Sequence, residues 1–113
     1  MLIYKILTAP QWDELRRLGQ TDGAPVDVAD GFVHFSTAAQ LRETAARHFA
    51  GQQDLWLLSL DADALGPALR WEPSRGGALF PHLYAPLRLA DIVAAEALAV
   101  DADGRHQFPE EIP

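Results

Sequence analysis

The run Leu55-Trp56-Leu57-Leu58-Ser59-Leu60 constrains the fold more than any other part of the chain. It is too short for a typical helix and apolar almost throughout, so alternation cannot leave one of its faces in water. Such a segment reads as a strand covered on both sides, central in its sheet.

Two helical segments precede it. Thr8 offers an N-cap oxygen, Pro10 sits where a first turn tolerates a missing N–H, and Trp12, Leu15 and Leu18 follow at helical spacing up to Gly19. Thr37 with Gln40 makes a capping-box pattern, and Ala38, Leu41, Ala45 and Phe49 form an apolar stripe that predicts a helix to about Ala50, with Gly51 as its C-terminal cap. Glu43 and Arg47 form an exposed pair on that helix. Further strands are expected over Leu2–Leu7, Leu69–Glu72 and Leu79–Tyr84, with a capped turn at Asp61–Gly66, a helical turn near Leu89–Val93, an apolar segment through Val100 and a hairpin turn at Asp103-Gly104. Residues 20–30 hold Gly23, Pro25, Asp22, Asp27 and Asp30 and read as an exposed loop whose aspartates are turn formers. Strands and helices without regular βαβ alternation predict an α+β class, one domain over residues 1–113 with a frayed tail from about residue 109.

Composition narrows the function classes. Sixteen acidic against nine basic residues give a formal net charge of −7, and the basic residues are scattered, which disfavours stable nucleic-acid binding. A single nucleotide held by a few local groups is still compatible with that field. With no cysteine, disulfides, thiolate metal sites and a cysteine nucleophile are excluded. No stretch reaches the ~18 apolar residues of a membrane span, and the start lacks a secretory pattern, so a soluble cytoplasmic protein is expected.

Two segments carry the density of chemistry that a site needs. In Gly31-Phe32-Val33-His34-Phe35-Ser36-Thr37, period-two alternation places Phe32, His34 and Ser36 on one side and Val33 and Phe35 on the other. In Trp71-Glu72-Pro73-Ser74-Arg75-Gly76-Gly77-Ala78-Leu79-Phe80-Pro81-His82-Leu83-Tyr84, Phe80, His82 and Tyr84 share parity, so two strands each present a histidine and a hydroxyl. Gly76 and Gly77 let backbone N–H groups approach an anion, and the Arg75 guanidinium forks to phosphate or carboxylate. The same residues also fit a tight turn with Arg75 paired to Glu72. The four histidines, His34, His48, His82 and His106, show no close metal-ligand spacing, so no metal site is expected. His48, near the end of its helix, is explained by the helix dipole, and His106 is expected in an exposed hairpin. Neither a Gly-x-Ser-x-Gly elbow nor a Walker or dinucleotide glycine fingerprint occurs, which leaves Ser36 as a helix-start or ligand-binding hydroxyl.

The IYKIL start, DGFVHFST, RWEPSRGGALFPHLY and the following PLRLADIV together resemble the bacterial family called domain of unknown function 952. The resemblance implies a single α+β domain with a split mixed β-sheet and two principal helices, similar to the ADP-ribosyltransferases and RNA 2'-phosphotransferases. It further implies a nucleotide or phosphate cleft, with NAD or an ADP-ribose-like ligand as substrate and ADP-ribosyl or related group transfer as the reaction. Lys5 stands where that fold carries a dinucleotide-binding histidine, and Val33-His34-Phe35-Ser36-Thr37 is similar to the Val-His-Leu-Ser segment of the phosphotransferases. By the same resemblance His34, Glu72 and His82 are catalytic candidates, Trp71 and Tyr84 are stacking surfaces, and Lys5, Ser36, Arg75, Gly76 and Gly77 are ligand contacts. A non-catalytic binding module on the same fold and a structural interaction domain are the alternatives.

Overall fold

The apolar run at 55–60 lies inside a four-stranded antiparallel sheet, flanked by a strand on each side. The computed structural model describes residues 1–109 and Ile112, with Arg75 described for its backbone alone. Its elements are β1 (Leu2–Thr8), α1 (Ala9–Leu18), β2 (Gln20–Thr21), α2 (Pro25–Asp30), β3 (Val33–His34), α3 (Ala38–His48), β4 (Leu55–Asp61), β5 (Leu69–Pro73), β6 (Leu79–Leu83), β7 (Leu87–Arg88), β8 (Ile92–Val100) and β9 (His106–Gln107). Short 3-10 turns fill Ala62–Ala68, Arg75–Gly77 and Leu89–Asp91.

Three sheets result, ordered β1-β4-β8-β9, β2-β7 and β3-β6-β5. Every pairing among the described residues is antiparallel, which corrects the expectation of a mixed sheet. The architecture is α+β, a curled antiparallel sheet with helices packed against it. No helix among the described residues is long and apolar enough to cross a membrane.

The central sheet is covered on both faces because β1 and β4 send alternate side chains each way. Ile3, Leu7, Leu58 and Leu60 join Trp12 and Leu15 of α1 together with Val33 and Leu83 of the small sheet. Tyr4, Ile6, Leu55 and Leu57 face the other way, onto Leu41 and Ala45 of α3. The small sheet is tied to the large one by a bridge, in which Tyr4 and Ser36 exchange backbone hydrogen bonds of 2.8 and 2.9 Å.

Both helix starts follow the sequence. Thr8 and Thr37 accept from the N–H of Gln11 and Gln40, and those glutamine side chains accept from the threonine N–H at 2.9 and 3.0 Å. Thr37→Ala is expected to cost about 1 kcal/mol in urea unfolding at unchanged m-value. The end of α3 differs from expectation. It stops at His48, because Phe49 leaves the helical region at φ −128° and packs against the Leu41 and Ala45 cluster, so Gly51 is not the cap.

The larger correction concerns residues 20–30, which are not an exposed loop. Gln20 and Thr21 pair with β7, and Pro25–Asp30 form a six-residue helix opened by proline at its first turn. Asp27 on that helix is 1 % exposed. At the C-terminus, the expected fraying from 109 falls on residues 110, 111 and 113, which lie outside the described ones. Ile112, which is described, is buried with the α3 cluster, and its carbonyl accepts from Arg42 at 2.9 Å.

Candidate functional site

The small sheet brings two histidines face to face. In the β3–β6 register His34 lies opposite His82, and in the β5–β6 register His82 lies opposite Arg70 and Phe80 opposite Glu72. Directly opposed residues share a face, so one side of this sheet collects His34, His82, Glu72 and Arg70, with Tyr84 just beyond the end of β6. Phe32, immediately before β3, lies over them, its ring stacked on His82 at 4.2 Å and tilted toward His34 at 4.6 Å and Tyr84 at 5.1 Å. The histidine rings meet edge to face at 5.4 Å.

Each histidine is held by a carboxylate. Asp27 accepts from four donors: Oδ1 takes the His34 backbone N–H at 3.0 Å and Nδ1 at 2.5 Å, and Oδ2 takes Lys5 Nζ at 2.9 Å and the Ala24 N–H at 2.7 Å. A carboxylate has about four acceptor directions, and all are used. Burial pushes this carboxyl up, but the His34 hydrogen bonds and the Lys5 charge outweigh it and bring the group down to about 2. Lys5 is buried as well and donates also to the His34 carbonyl at 2.9 Å; burial pulls its ammonium below the ordinary lysine value against the opposing pull of Asp27. Gly23 makes room for this arrangement. A Cβ there would stand 2.3 Å from Asp27 Oδ2, at a φ of 101° that side chains rarely adopt.

On its outer side His34 Nε2 stands 3.0 Å from Oδ2 of the half-exposed Asp30. A doubly protonated ring satisfies both carboxylates, whereas a neutral ring satisfies one.

The second pair is built differently. Glu72 Oε1 accepts from the Tyr84 hydroxyl at 2.7 Å and from His82 Nδ1 at 2.9 Å, and these two donors, Tyr84 first, hold its carboxyl below the usual glutamate value. The same bond raises the Tyr84 phenol. The Arg70 guanidinium lies over the Tyr84 ring at 4.7 Å, a cation–π contact that supports the outer edge of the site. Glu72 is therefore kept ionised at neutral pH and suits charge stabilisation better than proton donation.

Of the residues the sequence singled out, the structure gathers His34, Glu72, His82 and Tyr84. Lys5 lies beneath them, committed to Asp27, and is not a ligand contact. Trp71 opposes Pro81 and so belongs to the other face of the small sheet, away from Glu72 and Tyr84, and does not share the face on which it was expected to offer a ligand a stacking surface. Ser36 does not share the His34 face either. The chain leaves β6 for β1 at this point, and the Ser36 hydroxyl bonds Thr44 of α3 at 2.8 Å. Gly76 and Gly77 form the exposed turn of the β5–β6 hairpin, at φ 69° and 80°. The Arg75 side chain lies outside what is described. His106 is half-buried rather than exposed, with Nε2 against the Gln52 carbonyl at 2.9 Å.

Sequence reasoning missed Asp27, Asp30 and Arg70 as members of the site. Lys5 could have pointed to Asp27, since a lysine sharing strand parity with Ile3 and Leu7 needs a buried acid. Arg70 has the parity of Glu72.

Two cavities border these elements. One of about 300 Å³ abuts the site and includes Val28, Phe32, Leu83 and Tyr84 in its wall. A larger one of about 450 Å³ lies between α3 and the β8–β9 hairpin, away from both histidines.

Residues 6–95 match the family model described as "Protein of unknown function (DUF952)". Solved structures of protein CC0527 from Caulobacter crescentus are similar over nearly the whole chain. The X-ray crystal structure is 50% identical at a TM-score of 0.91, covering 95% of this chain and 94% of that one. The solution NMR structure is 50% identical at a TM-score of 0.85, covering 94% and 91%. No curated protein matches the chain.

Proposed function

Given that this chain belongs to the DUF952 family, we propose that its paired-histidine face binds a nucleotide-like ligand, NAD or an ADP-ribose relative, and transfers an ADP-ribosyl or related group. The observation that carries the reading is the convergence of His34, His82, Glu72 and Tyr84 on one sheet face, each histidine held by its own carboxylate. Glycosyl transfer passes through a cationic, oxocarbenium-like centre, and an ionised carboxylate held by two donors is suited to stabilise it. Glu72 takes that role. His34 supplies a donor at Nε2, which a ligand oxygen gains by displacing the exposed Asp30. Tyr84 keeps Glu72 oriented, and the Arg75-Gly76-Gly77 turn at the hairpin end is the candidate phosphate contact.

The test is thermal stabilisation by NAD and by ADP-ribose, followed by release of nicotinamide from NAD. His34→Ala and Glu72→Gln are each expected to lower release by about 100-fold or more while leaving the fold intact. Absence of both stabilisation and release in the native chain overturns the reading.

A non-catalytic binding module is favoured by one observation: Lys5 and the outer nitrogen of His34 are both already engaged by aspartates. Stabilisation by ADP-ribose without release from NAD would select it.

A further inference from the structure

Among the described residues, Arg70 is the one cation of the histidine face without an anionic partner. Lys5 is committed to Asp27, His34 stands between Asp27 and Asp30, and His82 is turned to Glu72. Arg70 opposes His82 directly in the β5–β6 register and so shares its face. It has no hydrogen bond or ion pair to any described residue, only the contact of its guanidinium over the Tyr84 ring at 4.7 Å. Glu72, two positions along the same strand, is turned to Tyr84 and His82 instead.

The ring beneath gives this guanidinium a fixed place, since Tyr84 is itself fastened to Glu72 through its hydroxyl at 2.7 Å. A cation over an aromatic face is attracted by the ring's π-electrons. The guanidinium carries five N–H donors, and one ring face does not occupy them all. Those that are left form the rigid fork that matches two oxygens of a phosphate or a carboxylate. The hairpin turn at Arg75–Gly77 lies past Pro73, roughly 10 Å along β5 from Arg70 at ~3.3 Å per residue, so one oxyanion cannot be held at both places.

We propose that Arg70 is the anion contact of the histidine face: an oxyanion of the ligand, a phosphate or a carboxylate, takes two N–H groups of its guanidinium while Tyr84 holds that guanidinium in place. The proposal rests on the ligand-site reading above and adds to it where the charge of the ligand sits, beside His82 and at the opposite end of β5 from the hairpin turn. Lysine does not reproduce this contact, because an ammonium is a point charge without the fork.

Sodium pyrophosphate and sodium malonate, titrated separately into the native chain at constant ionic strength, test it by NMR at the Arg70 Nε–H and the Tyr84 ring. A saturable shift at both groups is expected from at least one probe, and the tighter of the two names the oxyanion. Arg70→Gln is expected to abolish saturation and Arg70→Lys to weaken it about tenfold. Arg88→Gln, which removes the same charge from an exposed position on β7, is expected to stay within about twofold. Tyr84→Leu, with Arg70 intact, is expected to weaken binding about threefold, and Tyr84→Phe, which keeps the ring, by less. No saturable shift from either probe overturns the proposal, as does binding that survives Arg70→Gln or that falls equally in Arg88→Gln, the mark of net charge alone. ADP-ribose separates this contact from the nucleotide reading, since it is expected to displace the probe from the native chain. A probe held at Arg70 that ADP-ribose does not displace removes the nucleotide and leaves the contact standing; thermal stabilisation by ADP-ribose that Arg70→Gln leaves unchanged removes Arg70 alone.

Discussion

Replacing Asp27 by alanine is expected to destabilise the fold by about 3–5 kcal/mol at neutral pH, the cost of leaving one partner of a buried pair uncompensated. Lys5 would be stranded among Ile3, Leu7 and Leu58, and the Ala24 and His34 N–H groups would lose their acceptor. Urea unfolding measures it, and a cost below about 1 kcal/mol would contradict the four-donor geometry. Lys5→Met together with Asp27→Leu removes both charges, so the double variant is expected to recover much of the loss. Acid carries a matching signature. The folded Asp27 carboxyl titrates near 2 against an ordinary 3.8, so between those values the unfolded chain binds more protons than the folded one. The stability it contributes is therefore complete well above pH 3.8 and is lost as pH falls through 2, an amount of about 2 kcal/mol. Asp27→Asn is expected to flatten that acid limb by the same amount.

Leu58→Ala is expected to cost about 2–5 kcal/mol, measured in the same way. Leu58 is fully buried in the strand with a partner on each side. Its neighbours across the sheet are Lys5 on β1 and Ala95 on β8, both held in ladders, and neither can move in to fill the space. The effect should fall in the upper part of the range, since sites that relax least cost most. Because Lys5 is the cross-strand neighbour, Leu58→Ala and Asp27→Ala are expected to combine non-additively. A loss below about 1 kcal/mol would place β4 outside the rigid core.

These residues also show what was legible in the sequence. Threonine caps, the central strand at 55–60 and the common parity of Phe80, His82 and Tyr84 rest on local periodicity and capping, which the chain states outright. Asp27 was illegible for the opposite reason. Across Pro25-Val26-Asp27-Val28-Ala29-Asp30 the valines are exposed and the aspartate is buried, so the hydropathy pattern is inverted by an ion pair with a lysine 22 positions away. Ser36 was misplaced because strand parity holds only while a strand keeps one partner, and the chain changes partners between Phe35, bonded to Pro81, and Ser36, bonded to Tyr4. Trp71 was assigned by residue type where parity with Glu72 would have excluded it.

Lys5 belongs to the large sheet, yet its ammonium ends on the carbonyl of His34 and on the carboxylate that turns the His34 ring. Folding of the core and aiming of the imidazole are thus accomplished by the same three side chains. Single substitutions cannot trade one for the other: losing either member of the Lys5–Asp27 pair strands its partner in the core, and only the loss of both charges together restores stability, with the His34 ring then deprived of its Asp27 anchor. Retuning of this site by single substitutions is accordingly confined to its outer layer, at Phe32, Asp30, Glu72 and Tyr84.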